Sequence, residues 1–170
     1  MARTLNIMVV DNEELVAKSI VDMLEMHGYK ARAYYSAESA LKTLHARNEI
    51  FDVIVTDINM PRMDGYSFIE KVKNDECPDI KILVLTGYGS IDSAVKAIKL
   101  GASGYFEKDR DPELLLFEIE KIAENIYLQK RMSSLEQRLS SMVDDFYLFG
   151  SKRRYTVPSG ARYPRRQTAE

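Results

Sequence analysis

The stretch "FDVIVTDINMPRMDG", Phe51–Gly65, sets an aliphatic run against an abrupt polar turn. Val53, Ile54 and Val55 follow one another with no polar residue at alternate positions. A strand with one wet face would alternate, so this run is expected to be buried on both faces, as in a parallel sheet. It ends in Asp57. Pro61, Asp64 and Gly65 then turn the chain.

Four further runs recur at intervals: LNIMVV (5–10), YKARAYY (29–35), KILVLT (81–86) and GYFE (104–107). The first and fourth runs of the chain, 5–10 and 81–86, are nearly continuous aliphatic stretches like 51–56. Helical segments separate the runs. Glu13 to His27 ends at Gly28, a natural C-cap. Ser36 is placed to cap a helix through Ala46. Tyr66 to Lys73 follows Gly65. Ser90 is placed to cap the next helix, which carries Ile91, Ala94, Val95 and Ile98. Pro112 opens a much longer helical segment, as proline does in a first turn. Five strand–helix alternations predict an α/β fold, a doubly wound five-stranded parallel sheet with helices on both faces.

In such a fold the site lies at the carboxyl ends of the central strands. The first run stops at Asp11, the third at Asp57 and the fourth at Thr86, and the fifth is followed by Lys108. Two acids, a hydroxyl and an ammonium therefore meet on one rim. Asn and Asp also cap helices, and acids suit a first turn, but capping does not explain the convergence.

The chain has 170 residues, 45% hydrophobic and 29% charged, with a formal net charge of −2. That balance fits a globular protein with one domain of ordinary size and something extra. No apolar run approaches the ~20 residues of a membrane span, and MARTLNIMVVDNEE lacks the apolar stretch of a signal peptide. The single cysteine, Cys77, excludes an internal disulfide and reads as a loop thiol. A cytoplasmic setting is expected. From Gly150 onward six cations (Lys152, Arg153, Arg154, Arg162, Arg165, Arg166) face one acid, Glu170, which leaves +5 there and −7 elsewhere. Residues 150–170 are expected to form a basic tail with the composition of a disordered segment. Its charge leaves contact with an anionic partner open, but direct nucleic-acid binding is not expected. His27 and His45 are isolated and read as structural.

The pieces VVDNE, VIVTDINMPRMDGY, VLTGYGS and GASGYFEKD, in that order, closely resemble the receiver domain of two-component response regulators. The resemblance covers Leu5 to about Ile126 and implies the flavodoxin-like receiver fold. It implies that Asp57 is the phosphoacceptor, that Mg²⁺ is held by Asp11, Asn12, Asp57 and the backbone of Asn59, and that Lys108 contacts the phosphoryl oxygens. Thr86 and Tyr105 match the family's switch pair: the Thr86 hydroxyl moves to the phosphoryl group and Tyr105 turns inward. A histidine kinase is the implied phosphodonor. The chemistry is coherent, since phosphoryl transfer needs positioning and charge neutralisation, and Mg²⁺ prefers oxygen ligands. The protein would assist only its own phosphorylation and dephosphorylation, so it is not expected to be an enzyme. A haloacid-type phosphatase needs a second acid two residues after its nucleophile, and here that residue is Asn59.

Three departures stand out. Asn12 replaces an acid, which predicts a weakened metal site, while Asn12 remains a good helix N-cap; Glu13 is expected to turn into the first helical turn. Asp109 follows Lys108 where the family has a proline behind a cis peptide. A cis bond there costs ~3 kcal/mol, so either it is trans and Lys108 is aimed differently, or the fold holds an unusual cis bond. Tyr88 and Asn59 flank the family's hydrolytic water path, and a bulky Tyr88 predicts a long-lived acyl phosphate. Gly65 is expected to take a φ that a side chain resists.

Pro112 to about Phe149 lacks internal Pro or Gly. Leu115, Ile119, Ile122 and Ile126 repeat in 4-3-4 steps. After a one-residue skip, Leu128, Met132, Leu135, Leu139, Met142, Phe146 and Phe149 continue the pattern. Such heptads predict a coiled coil and a homodimer through this helix, unless the helix breaks at Ser133–Ser134 or Ser140–Ser141 and folds back. The expected divisions are a receiver over 1–126, a coiled-coil helix over 127–149 and the tail. "FYLFGSKR" faintly resembles the junction into an ATPase module of transcription activators. The alternatives to a phosphorylated regulator are therefore a phosphorylation-independent interaction module and a truncated activator that kept the fold.

Overall fold

The structure is a computed structural model that describes residues 4–77, 79–87 and 89–152. In chain order it contains β1 (Asn6–Val10), α1 (Glu14–Met26), β2 (Lys30–Tyr34), α2 (Ala37–Ala46), β3 (Val53–Asp57), α3 (Gly65–Lys71), β4 (Lys81–Thr86), α4 (Ile91–Lys99), β5 (Gly104–Glu107) and α5 (Pro112–Lys152). The five strands form one all-parallel sheet in the order β2-β1-β3-β4-β5.

The unbroken aliphatic runs are explained by what covers them. Met8 and Val10 of β1, Ile54 of β3 and Ile82 and Val84 of β4 pack on one side with Leu41 and Leu44 of α2 and Phe68 and Ile69 of α3. Ile7, Val9, Val53, Val55, Leu83 and Leu85 pack on the other side with Leu24 of α1 and Leu115, Ile119 and Ile122 of α5. Successive strand residues point to opposite faces, and both faces are dry beyond the first residues Asn6 and Lys81, so the aliphatic run continues without alternation. The edge strand β2 is only partly buried, which is why its sequence, KARAY, mixes charge with alanine.

Helix termini follow the sequence in some places and depart in others. Ser36 caps α2 and Ser90 caps α4, each accepting the backbone N–H three residues on. Gly28 takes φ +85 after α1. Asn12, in contrast, does not cap α1. The helix starts one residue later than that cap requires: Glu13 stands at the N-cap position with no side-chain cap bond, and its N–H goes to Asp11 Oδ1 at 2.9 Å. The helix expected through Lys73 changes at Val72 into a single π turn, Val72–Glu76, closed by Cys77 N–H to the Val72 carbonyl. Lys73 Nζ also donates to the Ile80 carbonyl at 2.5 Å, which anchors that turn to the start of β4.

The chain divides into two compact units, Met1–Leu128 and Gln129–Glu170. In the first, Leu115, Leu116, Ile119, Ile122 and Ile126 of α5 are buried. In the second, Met132, Leu135, Leu139 and Met142 are exposed, each to 49% or more. Helix α5 runs without a break through both serine pairs and to Lys152. The side chains of Phe146 and Phe149 and the tail beyond Lys152 lie outside the described residues. Among the described residues no helix is long and apolar enough to cross a membrane.

Candidate functional site

The strand order reverses its direction of growth between β1 and β3, the point at whose carboxyl ends sites lie in such sheets. Asp11 follows β1 and Asp57 ends β3, so parallel pairing of these neighbours brings the two carboxylates to one point. Asp11 is 1% and Asp57 4% exposed. Thr86, the last residue of β4, is equally buried, and its carbonyl accepts the Lys108 backbone N–H at 2.8 Å. That bond sets the start of the β5–α5 connection against the end of β4.

Lys108 bridges the acids. Its Nζ lies 2.7 Å from Asp11 Oδ2, 3.4 Å from Asp57 Oδ2 and 3.3 Å from Glu13 Oε1. Among the described residues every peptide bond is trans. The Lys108–Asp109 bond is therefore trans, and Lys108 still reaches both carboxylates. Burial opposes the lysine charge, but the bond and attraction of Asp11, then of Asp57 and Glu13, hold its pKa above the ordinary range. Burial pushes the Asp11 pKa up, partly offset by Lys108 and the Glu13 N–H. Asp11 Oδ2 is buried and makes no hydrogen bond of regular geometry; its partner is the Lys108 ammonium, as an ion pair.

Asp57 is held as an acceptor pointing out of its strand. Its Oδ1 takes the Ile58 N–H at 2.8 Å, and its backbone carbonyl accepts the Thr56 hydroxyl at 3.0 Å. The turn after it is fixed by Gly65. A Cβ at Gly65 would lie 2.3 Å from the Asp57 carbonyl oxygen and 2.7 Å from Ile58 Cα. Gly65 has no positive φ, so the turn needs glycine for this close approach and not for a special φ. Asp64 then caps α3, accepting Ser67 N–H at 2.8 Å.

Oxygen donors suited to Mg²⁺ are present in part. The buried Asp11 and Asp57 carboxylates both face the Lys108 ammonium, and Asp11 Oδ2, whose one partner among the described residues is that ammonium, could instead face a cation. Among the described residues no group of three His, Cys, Asp or Glu side chains can hold a metal ion. That set fits Mg²⁺, which keeps several waters and takes one or two carboxylates. Asn12 and Asn59 are both exposed. Tyr88 lies outside the described residues.

The role of Glu13 differs from the one the sequence suggested, and Ser93 escaped the sequence reading. Glu13 does not simply enter the first turn; its carboxylate leans toward Lys108. Ser93 of α4 meets Tyr105, with 2.8 Å between the two hydroxyl oxygens. Neither contact carries a local signal, since one spans 95 positions and the other 12.

The model of the response regulator receiver domain matches residues 7–120. Transcriptional regulatory protein FixJ of Rhizobium meliloti is 35% identical over 119 residues, 69% of this chain and 56% of that protein. Nitrogen assimilation regulatory protein NtrX of Azorhizobium caulinodans is 31% identical over 134 residues, 78% of this chain and 29% of that protein. The chain thus spans from under a third to just over half the length of these relatives. Among solved structures, NtrX from Brucella abortus aligns with a TM-score of 0.71 at 28% identity, covering 78% of this chain and 29% of that one. The beryllofluoride-activated NtrC4 receiver domain dimer aligns with a TM-score of 0.65 at 38% identity, covering 71% and 97%. With the β2-β1-β3-β4-β5 sheet and the acids at its switch point, these matches place the chain in the response-regulator receiver family.

Proposed function

We propose that this chain accepts a phosphoryl group from a histidine kinase on Asp57 and switches conformation in response. The supporting observation is the buried pair Asp11 and Asp57 bridged by Lys108 at the sheet's switch point. One Asp57 carboxylate oxygen forms the new bond to phosphorus as the donor's nitrogen–phosphorus bond breaks. Lys108 faces the carboxylate's outer oxygen, where the added phosphoryl oxygens need a mobile cation. Asp11, Asp57 and the Asn59 carbonyl would hold Mg²⁺, with the Asn12 amide as a neutral fourth oxygen. The ion would neutralise charge between the incoming phosphoryl group and the carboxylates. Asn59 and Tyr88 would govern water access, and a bulky Tyr88 favours a slow loss of phosphate. The cytoplasm, home of two-component phosphodonors, is the setting this reading implies.

The exposed stripe of α5 favours a second copy of the chain as partner. Numbered as heptads, Met132 and Leu139 take one core position and Leu135 and Met142 the other. Arg131 and Glu136 then stand at flanking positions that meet between chains in a parallel pair. Leu135 and Leu139 leave large apolar groups in water unless another helix covers them.

Acetyl phosphate with Mg²⁺ is expected to add one phosphoryl mass to the intact protein, absent in Asp57→Asn. No adduct at any Mg²⁺ concentration overturns the reading and favours the phosphorylation-independent interaction module.

A further inference from the structure

We propose that Ser93 is a positioning residue that holds Tyr105 on the N-terminal box of α4, so that the ring turns inward only by giving up a hydrogen bond of that box. The inference rests on the phosphorylation reading above for its regulatory meaning, but its geometry stands separately.

The Ser93 hydroxyl lies at the centre of four contacts. Its oxygen is 2.9 Å from the Ser90 backbone nitrogen, 2.8 Å from the Ser90 carbonyl, 3.0 Å from Ser90 Oγ and 2.8 Å from the Tyr105 hydroxyl. The Ser93 backbone N–H in turn donates to Ser90 Oγ at 3.1 Å, which completes the capping box. Valence assigns the donors. A hydroxyl has one proton and two lone pairs. The carbonyl of Ser90 can only accept, and we assign the Ser93 proton to it. The Ser90 N–H can only donate and takes one lone pair. The Tyr105 hydroxyl donates to the other. The exposed Ser90 hydroxyl is free to turn toward water. Tyr105 therefore ends a directed chain, Tyr105 O–H to Ser93 O–H to the Ser90 carbonyl, whose links polarise one another.

Tyr105 pairs with β4 at Val84, two residues before Thr86. Movement of its ring thus couples the strand that ends in Thr86 to the first turn of α4. That turn carries Ile91, an apolar residue 84% exposed. Loss of the Tyr105 bond removes a contact that steadies the turn carrying Ile91.

Protein labelled with 3-fluorotyrosine supplies two readouts, with the Tyr105 fluorine signal assigned by its loss in Tyr105→Phe. In unphosphorylated protein, Ser93→Ala is expected to move the signal, and Ser93→Thr, which keeps the hydroxyl, to leave it in place. In beryllofluoride–Mg²⁺ titrations, Ser93→Ala is expected to lower the apparent dissociation constant about fivefold, the worth of one neutral hydrogen bond. The same change in a Tyr105→Phe background, followed by intrinsic tyrosine fluorescence, is expected to give no gain. An unmoved signal in Ser93→Ala, a signal in Ser93→Thr that moves as far as in Ser93→Ala, or an equal gain without the Tyr105 hydroxyl overturns the proposal. If wild type neither binds beryllofluoride nor takes phosphate, the Asp57 reading falls, and the unphosphorylated signal alone decides whether Ser93 holds Tyr105.

Discussion

The Lys108 ammonium lies 2.7 Å from Asp11 Oδ2, nearer than to Asp57, the carboxylate it is expected to serve. The lysine therefore neutralises a buried acid whose only other described bond from this side chain is the Glu13 N–H at Oδ1. A divalent cation entering between Asp11 and Asp57 competes with that ammonium for Oδ2. Removing Lys108 is expected to separate two effects. Lys108→Ala should bind Mg²⁺ more tightly, because a competitor is gone. It should label from acetyl phosphate at least about tenfold more slowly, which corresponds to ~1.4 kcal/mol of lost transition-state stabilisation. Calorimetric Mg²⁺ titration and intact-mass kinetics check the two arms. Weaker Mg²⁺ binding in the variant would show that the lysine organises the acids.

Asn12 belongs to the ligand set proposed for the same ion. Asn12→Asp adds a charged oxygen to a site that has two carboxylates, and charge count tunes such affinities. The expected result is Mg²⁺ binding tighter by about tenfold in the same titration. Unchanged affinity would mean that residue 12 faces away from the ion, as its exposure allows.

The backbone of Asp57 depends on the absence of a side chain at Gly65. In Gly65→Ala the new methyl would meet the Asp57 carbonyl at 2.3 Å, and backbone atoms cannot move aside as a flexible side chain can. We expect a loss of ~1–3 kcal/mol in urea unfolding and a sharp fall in phosphorylation with circular dichroism nearly unchanged. Full labelling would show that the turn relaxes without moving Asp57.

Asp64 stabilises α3 as its N-cap. Its carboxyl pKa lies below the ordinary aspartate range, chiefly because the carboxylate accepts the Ser67 N–H. A depressed folded-state pKa contributes stability above the unfolded value and loses it as pH falls through the folded one. Asp64→Ala should cost ~1 kcal/mol at pH 7, and Asp64→Asn less. The gap between wild type and Asp64→Asn should shrink on acidification below the unfolded pKa. A gap that stays constant down to pH 2 would show that the charge contributes nothing.

The fold was legible where burial leaves no choice. The middles of β1, β3 and β4 are dry on both faces, so their sequences there are unbroken aliphatic runs, and Asp11, Asp57 and Thr86 at their ends announce the rim. The illegible parts are contacts between elements. Asn12 is not the cap because α1 starts at Glu14 with Glu13 as its N-cap, and the Glu13 N–H is turned back to Asp11 Oδ1. The π turn after α3 is accompanied by Lys73 reaching the Ile80 carbonyl, a contact that the local sequence does not signal. Ser93 drew no reading from the sequence because nothing local indicates that Tyr105 approaches it from β5. Gly65 was identified as necessary, but for a torsion angle, whereas the constraint is the distance to another backbone segment.

The stripe on α5 gives the last expectation. Leu135 and Leu139 are 49% and 62% exposed, with Met132 and Met142 continuing the same line. A parallel second copy would bury all four from each chain and set Arg131 of one helix against Glu136 of the other. An antiparallel pair would instead bring like flanking positions together, arginine against arginine. Leu135→Glu combined with Leu139→Glu puts like charges into the seam, and light scattering is expected to give a monomer that still labels at Asp57. Charge reversal at one flank, Arg131→Glu, should weaken the dimer, and adding Glu136→Arg should restore it, because the pair is then rebuilt with its signs exchanged. Restoration distinguishes the parallel register from generic apolar association, in which the second change does nothing. A wild type that is monomeric at tens of micromolar leaves the stripe without a second copy to cover it and removes the dimer.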